Sequence, residues 1–194
     1  MINNYWQTER IRLRAIEPGD AETIYGWNLD SVRARNLDFV WPPQSLDSVK
    51  VWAGEQSRKK LENGSYHWII EMLDCTPLGS ISTHNCDPRS GTFSYGVDIA
   101  EEQRGKGYAG EAIWLVLRYY FEEFRYQKVT VYIHADNPSS VRLHEKLGFQ
   151  QEGRLRRMHF TQGQYIDVFL YGMTVEEFHA SDREKKTDRE KKTE

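Results

Sequence analysis

This chain of 194 residues is short of several things, and each shortage removes a class of protein. It has two cysteines, Cys75 and Cys86, which form no motif with each other. Two thiols cannot build a disulfide scaffold, and they suit a reducing compartment, although a single disulfide stays open. Long apolar runs are missing, and no stretch approaches the roughly 20 residues that cross a bilayer. The start, Met1-Ile-Asn-Asn-Tyr-Trp6, lacks the basic residues and apolar run of a secretory signal. The expectation is a cytoplasmic protein with no membrane partner. A basic excess is missing as well: 26 Lys and Arg face 29 Asp and Glu, a formal charge of −3. That balance speaks against nucleic acid as a partner. Metal ligands are thin too, because His84-x-Cys86 and His134 complete no ligand set of recognised spacing, so no metal is expected.

What is present is ordinary for a globular domain: 39% hydrophobic and 28% charged residues. The length suits one domain with a tail. The expected boundaries are a single domain over residues 1–177 and a charged tail over 178–194. The last thirteen residues repeat Asp182-Arg-Glu-Lys-Lys-Thr187 as Asp188 to Thr193 and end in Glu194. Six basic and five acidic residues with nothing apolar give a tail with nothing to pack.

The remainder alternates between periods. Ile11 and Leu13 alternate with arginines from Arg10 to Ala15, which predicts a half-buried strand. Pro18-Gly19-Asp20 predicts the start of a helix running to about Leu29, with Asp20 as its cap. Asn36 to Gln44 is too proline-rich for regular structure. A second helix is predicted from Leu46 to a stop at Asn63-Gly64. Three strands follow, Tyr66–Leu73, Leu78–Asn85 and Thr92–Ile99, joined by turns so short that neighbours are antiparallel. A glycine-rich loop then leads into an amphipathic helix from Gly107 to Phe124. After it come a strand Lys128–His134, a helix Ser139–Leu147 closed by Gly148, and a hairpin. The hairpin joins Glu152–Phe160 to Tyr165–Met173 through Gln162-Gly163. The fold class is therefore mixed α/β, antiparallel first, with one strand–helix–strand crossover in the second half.

The run from Ile99 to Ala112 carries the chemistry. Its glycines let backbone approach a ligand, and unpaired N–H groups at a helix start attract phosphate. Arg104 and Lys106 add positive charge, so the loop favours a pyrophosphate-bearing ligand. A P-loop is excluded because Lys106 is followed by Gly107 rather than Ser or Thr. Gly105, Gly107 and Gly110 spell the dinucleotide fingerprint, with Asp136 where a ribose-binding acid could stand. Four polar residues, Glu101 to Arg104, however, separate the strand from the first glycine, and the preceding hairpins are antiparallel.

Arg104-Gly105-Lys106-Gly107-Tyr108-Ala109 resembles the acetyl-CoA signature of the GNAT superfamily, Gln/Arg-x-x-Gly-x-Gly/Ala. Asn137-Pro-Ser-Ser140, continuing through Leu143, Lys146, Gly148 and Phe149, resembles that superfamily's next block, in the right order and on the right element. Thr8-Glu-Arg-Ile-Arg-Leu-Arg14, Pro18-Gly-Asp20 and the closing hairpin resemble its RimJ/RimL-like branch, so that the likeness covers about residues 8 to 175.

The resemblance implies a central, mostly antiparallel sheet splayed at one parallel strand pair, with flanking helices. It implies N-acetyl transfer from acetyl-CoA to a primary amine, either a peptide N-terminus or a small molecule, by direct attack in a ternary complex. The pantetheine arm is expected on the backbone of Val97, Asp98 and Ile99, and the pyrophosphate on amides from Gly105 through Lys106, Gly107, Tyr108 and Ala109 to Gly110, with Arg104 also binding the cofactor. Asn137, Ser140 and Lys146 are expected to touch the cofactor as well. A backbone N–H near Val97 is expected to polarise the thioester carbonyl. Many members place Glu at the position of Ser94, and serine is a poor base at neutral pH. Glu71 and Asp98 are alternative bases, weighed against solvated strand-face carboxylates. Many members also place a general-acid Tyr where this chain has His144. His144 could donate a proton, or it could be an ordinary exposed helix residue; in the RimJ/RimL-like branch a serine matching Ser140 is the proposed donor. Trp41, Phe39 and Tyr25 fall where acceptor loops lie, with lids packed on the core as the equal alternative. Arg154, Arg156 and Arg157 read as an alternating solvated face. A homodimer is an expected state. The competing function is an acyl-CoA-binding regulatory module with impaired catalysis, which the Ser94 departure keeps open.

Overall fold

The computed structural model describes residues 4–60 and 64–181. The charged repeat of 182–194 and the Asn63 part of the expected helix stop lie outside the described residues. The chain divides into two compact units. The first comprises residues up to Cys86 together with Tyr95–Val116; the second comprises Asp87–Ser94 and the chain from Leu117 onward.

The first unit opens with strand β1 (Ile11–Ala15), a 3-10 turn (Pro18–Asp20) and helices α1 (Ala21–Asn28), α2 (Ser31–Leu37) and α3 (Leu46–Ser57). Strands β2 (His67–Met72) and β3 (Pro77–Asp87) follow. β1 pairs antiparallel with β2, from Ile11 opposite Met72 to Ala15 opposite Trp68. β2 in turn pairs antiparallel with β3, from His67 opposite Ser82. The period-two pattern of β1 is realised, with Ile11 and Leu13 buried. Arg12 and Arg14, on the opposite face, both reach Glu71. Ile16, Ala21, Ile24, Val49, Ala53 and Ile69 form a core cluster joining α1, α3 and β2, with Tyr25, Trp27 and Trp52 packed against it.

Three local expectations are corrected. Asp20 does not cap α1; its carboxylate accepts from Glu17 N at 2.8 Å and binds Arg14 at 2.7 Å. A strong ionic partner has taken the cap's oxygens. The seven-residue helix α2 is an addition, and its signal is Asp30, whose side chain accepts from Val32 N and Arg33 N. α3 begins at Leu46 under a Ser45 cap, as the spacing predicts, but ends at Ser57 rather than near Asn63. There Ser57 Oγ bonds back to Gly54 O at 2.9 Å, while Arg58 N and Lys59 N fold onto carbonyls three residues back. Such tightening closes a last turn.

The chain continues through strand β4 (Thr92–Ile99), a 3-10 turn (Glu101–Gln103), helix α4 (Tyr108–Glu122), strand β5 (Lys128–His134), helix α5 (Pro138–Leu147) and strands β6 (Gln150–Thr161) and β7 (Gln164–Thr174). The seven-stranded sheet runs β1-β2-β3-β4-β5-β7-β6. Within the second unit, β4 and β5 pair in parallel at Thr92 opposite Lys128 and Phe93 opposite Val129. β5 pairs antiparallel with β7 along its full length, from Lys128 opposite Thr174 to His134 opposite Val168. The expected mixed sheet with a single parallel pair is therefore present. Phe93 stacks on Tyr120 at 4.1 Å and Phe121 packs on Phe178 at 5.4 Å. Residues 175–181 are helical and Phe178 is buried, so ordered structure continues past residue 177. No helix among the described residues is long and apolar enough to cross a membrane.

Candidate active site

Two glycines shape the loop before α4. Gly105 and Gly107 have φ of 77° and 88°, in the left-handed region that favours glycine. The turn they make delivers the chain to Tyr108, and the first helical bond runs from Glu111 N to Gly107 O at 3.3 Å. The N–H groups of the turn before it have no acceptor within the helix. An anionic ligand is what such a helix start receives.

The two cations of the loop are used differently. Lys106 Nζ donates to Gln103 Oε1 at 2.8 Å on the exposed side. Arg104 turns inward. Its Nε donates to Ile99 O at 2.9 Å, and its guanidinium lies 3.8 Å from Asp30 and 3.9 Å from Asp98.

The sequence reading missed a brace beneath the loop. Arg10 Nε donates to Glu111 Oε1 at 2.6 Å and its NH1 donates to Lys106 O at 3.1 Å. Its guanidinium also lies 4.9 Å from the Tyr108 ring centroid. Thr8 Oγ1 donates to Glu111 Oε2 at 2.5 Å. The Thr8-Glu9-Arg10 motif is visible in the sequence, but its role is not.

Strand β4 contributes Ser94 through Ile99. A Cβ on Gly79 of β3 would lie 2.0 Å from Asp98 O, so only glycine lets β3 approach this stretch. Glu71 and Asp98 are not solvated strand-face carboxylates. Glu71 is buried against Arg12 at 2.5 Å and Arg14 at 2.6 Å. Asp98 is buried against Arg33 of α2. Burial pushes the Asp98 carboxyl up, opposed by Arg33 and Arg104. Both acids have ionic partners in place, which leaves neither as an unengaged base. Ser94 is 5% exposed.

In the second unit, α5 starts at Asn137, whose Oδ1 accepts from Ser140 N at 3.1 Å and Ser139 Oγ at 2.7 Å. Its carbonyl oxygen is thus engaged as the helix cap, and its amide N–H groups remain as the donors for a ligand. His144 is not an exposed helix residue; it is 3% exposed and edge-on to Phe149. Its Nδ1 lies 2.8 Å from Ser140 O, a carbonyl that can only accept, so Nδ1 carries the proton. Burial pushes the His144 pKa down, with the Ser140 carbonyl opposing, and the ring is neutral at pH 7. Ser140 Oγ lies 3.3 Å from the same nitrogen. Because that nitrogen is already a donor, the hydroxyl keeps its own proton for another acceptor. Lys146 is exposed in the last turn of α5.

A cavity of about 470 Å³ lies within the first unit, lined by residues of α1, α2, α3, β2 and β3 that include Trp27, Arg33, Trp52, Glu55, His67 and Ser80. Of the three expected acceptor-loop aromatics, Tyr25 packs on the core cluster. Phe39 and Trp41 are exposed and meet edge to face at 5.7 Å. They ride on a segment whose flanking residues, Leu37 and Gln44, both line the cavity. Among the described residues no group of three or more His, Cys, Asp or Glu could hold a metal ion.

Comparison with known proteins agrees with this geometry. The acetyltransferase (GNAT) domain family matches residues 10–150. The SPbeta prophage-derived uncharacterized N-acetyltransferase YokL of Bacillus subtilis is 43% identical over 178 residues, covering 92% of this chain and 97% of YokL. The spermidine N(1)-acetyltransferase of Vibrio cholerae is 28% identical over 163 residues, covering 82% of this chain and 90% of that protein. A crystal structure of spermidine N-acetyltransferase from Vibrio cholerae in complex with CoA and spermine superposes with a TM-score of 0.78 at 23% identity, covering 88% of this chain and 99% of that one. At that identity the superposition speaks for the fold alone. The chain belongs to the GNAT acetyltransferase family and is an acetyl-CoA-dependent N-acyltransferase.

Proposed function

We propose that the enzyme moves the acetyl group of acetyl-CoA directly onto the primary amine of a small-molecule or peptide acceptor, as a cytoplasmic member of the RimJ/RimL-like branch. The observation that carries the reading is the loop of Gly105 and Gly107, whose left-handed turns open the start of α4 while Arg10 and Glu111 brace it from below. The pyrophosphate rests on the backbone amides from Gly105 to Gly110, with Lys106 as an exposed cation. The pantetheine arm follows Val97, Asp98 and Ile99. Since Ile99 O already accepts from Arg104, Arg104 yields that carbonyl when the arm binds. Asn137, Ser140 and Lys146 supply further polar contacts to the cofactor.

The chemistry conserves atoms simply. The neutral amine nitrogen attacks the thioester carbonyl carbon, the new C–N bond forms and the C–S bond breaks. The nitrogen loses one proton to water and the thiolate gains one. Ser140 is the donor in this reading, because its hydroxyl proton is not required by His144, and it recovers a proton from the water that took the one lost by nitrogen. His144 acts as a positioning residue, tying its ring to the Ser140 carbonyl. A backbone N–H near Val97 stabilises the developing oxyanion, and holding both reactants in one place supplies much of the rate. The domain is read as ending beyond residue 177, with the charged repeat outside it and a homodimer as the expected assembly.

The test is calorimetric titration of the full chain with acetyl-CoA, beside NAD and ATP, on wild type and Gly107→Trp. Selective acetyl-CoA binding that Gly107→Trp abolishes supports the reading. Preference for NAD, or binding untouched by the substitution, overturns it.

A further inference from the structure

The cavity of the first unit has a composition that separates one class of amine from another. Its floor is aliphatic, made by the buried Ile16, Ile24, Val49 and Ile69. Indole rings of Trp27 and Trp52 line it, and the His67 ring stands edge-on to Trp52 at 5.5 Å. Among the described residues of the lining Glu55 is the one carboxylate, and it sits at the exposed end beside Val51. The one formal cation among them, Arg33, stacks 4.9 Å from the Trp27 ring and is bonded to Asp98 of β4. Through that pair the inner end of the cavity is joined to the strand assigned to the pantetheine arm.

Charge and volume narrow the occupant. About 470 Å³ falls in the range of sites for small organic ligands. A polyamine brings several ammonium groups, each needing a carboxylate or water once enclosed. One exposed glutamate does not meet that need. Burial first, and then the positive charges of Lys59 and Arg33, hold the His67 pKa down to about 4. The same enclosure and positive neighbours disfavour an ammonium beside it and favour the neutral amine that attack requires. An apolar ligand body instead gains by covering the indoles and the aliphatic floor.

We propose that this cavity is the acceptor site and that it selects a primary monoamine carried on an apolar or aromatic body over a polyamine. The proposal rests on the acetyltransferase reading above and goes further by assigning the acceptor class. Phe39 and Trp41 are exposed on the segment between the lining residues Leu37 and Gln44.

The experiment is steady-state acetylation by the full chain at saturating acetyl-CoA, with phenethylamine and spermidine as acceptors, on wild type and Trp52→Ala. Calorimetric titrations of acetyl-CoA, and of phenethylamine with CoA present, accompany it. Expected are a kcat/KM at least about tenfold higher for phenethylamine, and a comparable loss for that acceptor in Trp52→Ala. Acetyl-CoA affinity stays unchanged. Preference for spermidine, or a phenethylamine KM indifferent to Trp52→Ala, overturns the assignment even when acetyl-CoA binds normally. Absence of acetyl-CoA binding instead overturns the reading beneath it. Should Trp52→Ala lower the folded fraction, Val51→Trp narrows the mouth from an exposed position and is expected to raise the phenethylamine KM alone.

Discussion

Arg33 of α2 and Asp98 of β4 form an ion pair in which the two residues are 6% and 8% exposed. A buried pair of this kind adds little over an apolar replacement, but breaking it leaves one charge stranded. Arg33→Met is therefore expected to lower unfolding free energy by about 3 kcal/mol or more. The double variant Arg33→Met with Asp98→Leu is expected to recover much of that loss. Urea unfolding of the three proteins checks this, and equal stability of both variants would sink the idea.

The brace under the loop predicts a different signature. Arg10 is half exposed and its pair with Glu111 is open to solvent on one side, so its part in global stability is small. Its part in holding Lys106 O and the start of α4 is local. Arg10→Ala is expected to weaken acetyl-CoA binding about tenfold while the melting temperature stays nearly constant. Calorimetry and thermal melts read the two effects separately.

Much of this was legible in the sequence because the signals are short-ranged. The alternation of Ile11 and Leu13, the glycines 105 and 107, and the Gly148 stop each act within a few residues, and their elements stand where expected. What could not be read depends on partners distant in the chain. Asp20 looks like a cap until Arg14 is found on it, and Glu71 and Asp98 look solvated until Arg12, Arg14 and Arg33 cover them. His144 lies on a helix whose sequence gives no sign that the ring is buried against Phe149. The Gly79 contact with β4 is equally silent, since a lone glycine in a strand pattern has several causes.

That contact carries the next expectation. A methyl group at residue 79 would fall 2.0 Å from Asp98 O, which is backbone and cannot rotate away. Gly79→Ala is expected to force β3 from β4 beside the proposed pantetheine strand. Overpacking of this kind costs about 3 kcal/mol, and acetyl-CoA affinity should fall with it. Retained affinity in a destabilised protein would show that the strand tolerates the shift.

Ser140 and His144 of α5 are expected to play unequal parts. Ser140→Ala is expected to lower kcat by about a hundredfold if the hydroxyl protonates the thiolate. His144→Phe keeps the buried ring without the nitrogen, and its main effect is expected on stability. Because His144 is neutral at pH 7 with Nδ1–H on a carbonyl, the wild-type rate should show no limb from its ionisation between pH 7 and 9. A rate that collapses equally in both variants would reassign the donor.

His67 links the acceptor cavity to pH. Burial first, then Lys59 and Arg33, hold its pKa down to about 4 in the folded protein, against about 6.5 for a free histidine. Above pH 6.5 both states carry the neutral ring, and the group has no effect on stability. As pH falls below that value the unfolded chain takes up a proton that the folded chain refuses, so stability declines down to about pH 4. The whole decline is at most about 3 kcal/mol. His67→Phe removes this titration while keeping an aromatic ring against Trp52. Its advantage over wild type in urea unfolding should therefore grow from pH 7 to pH 4.5. An advantage that stays constant across that range would mean that His67 is readily protonated in the folded state, and that the cavity is not the low-charge chamber its walls describe.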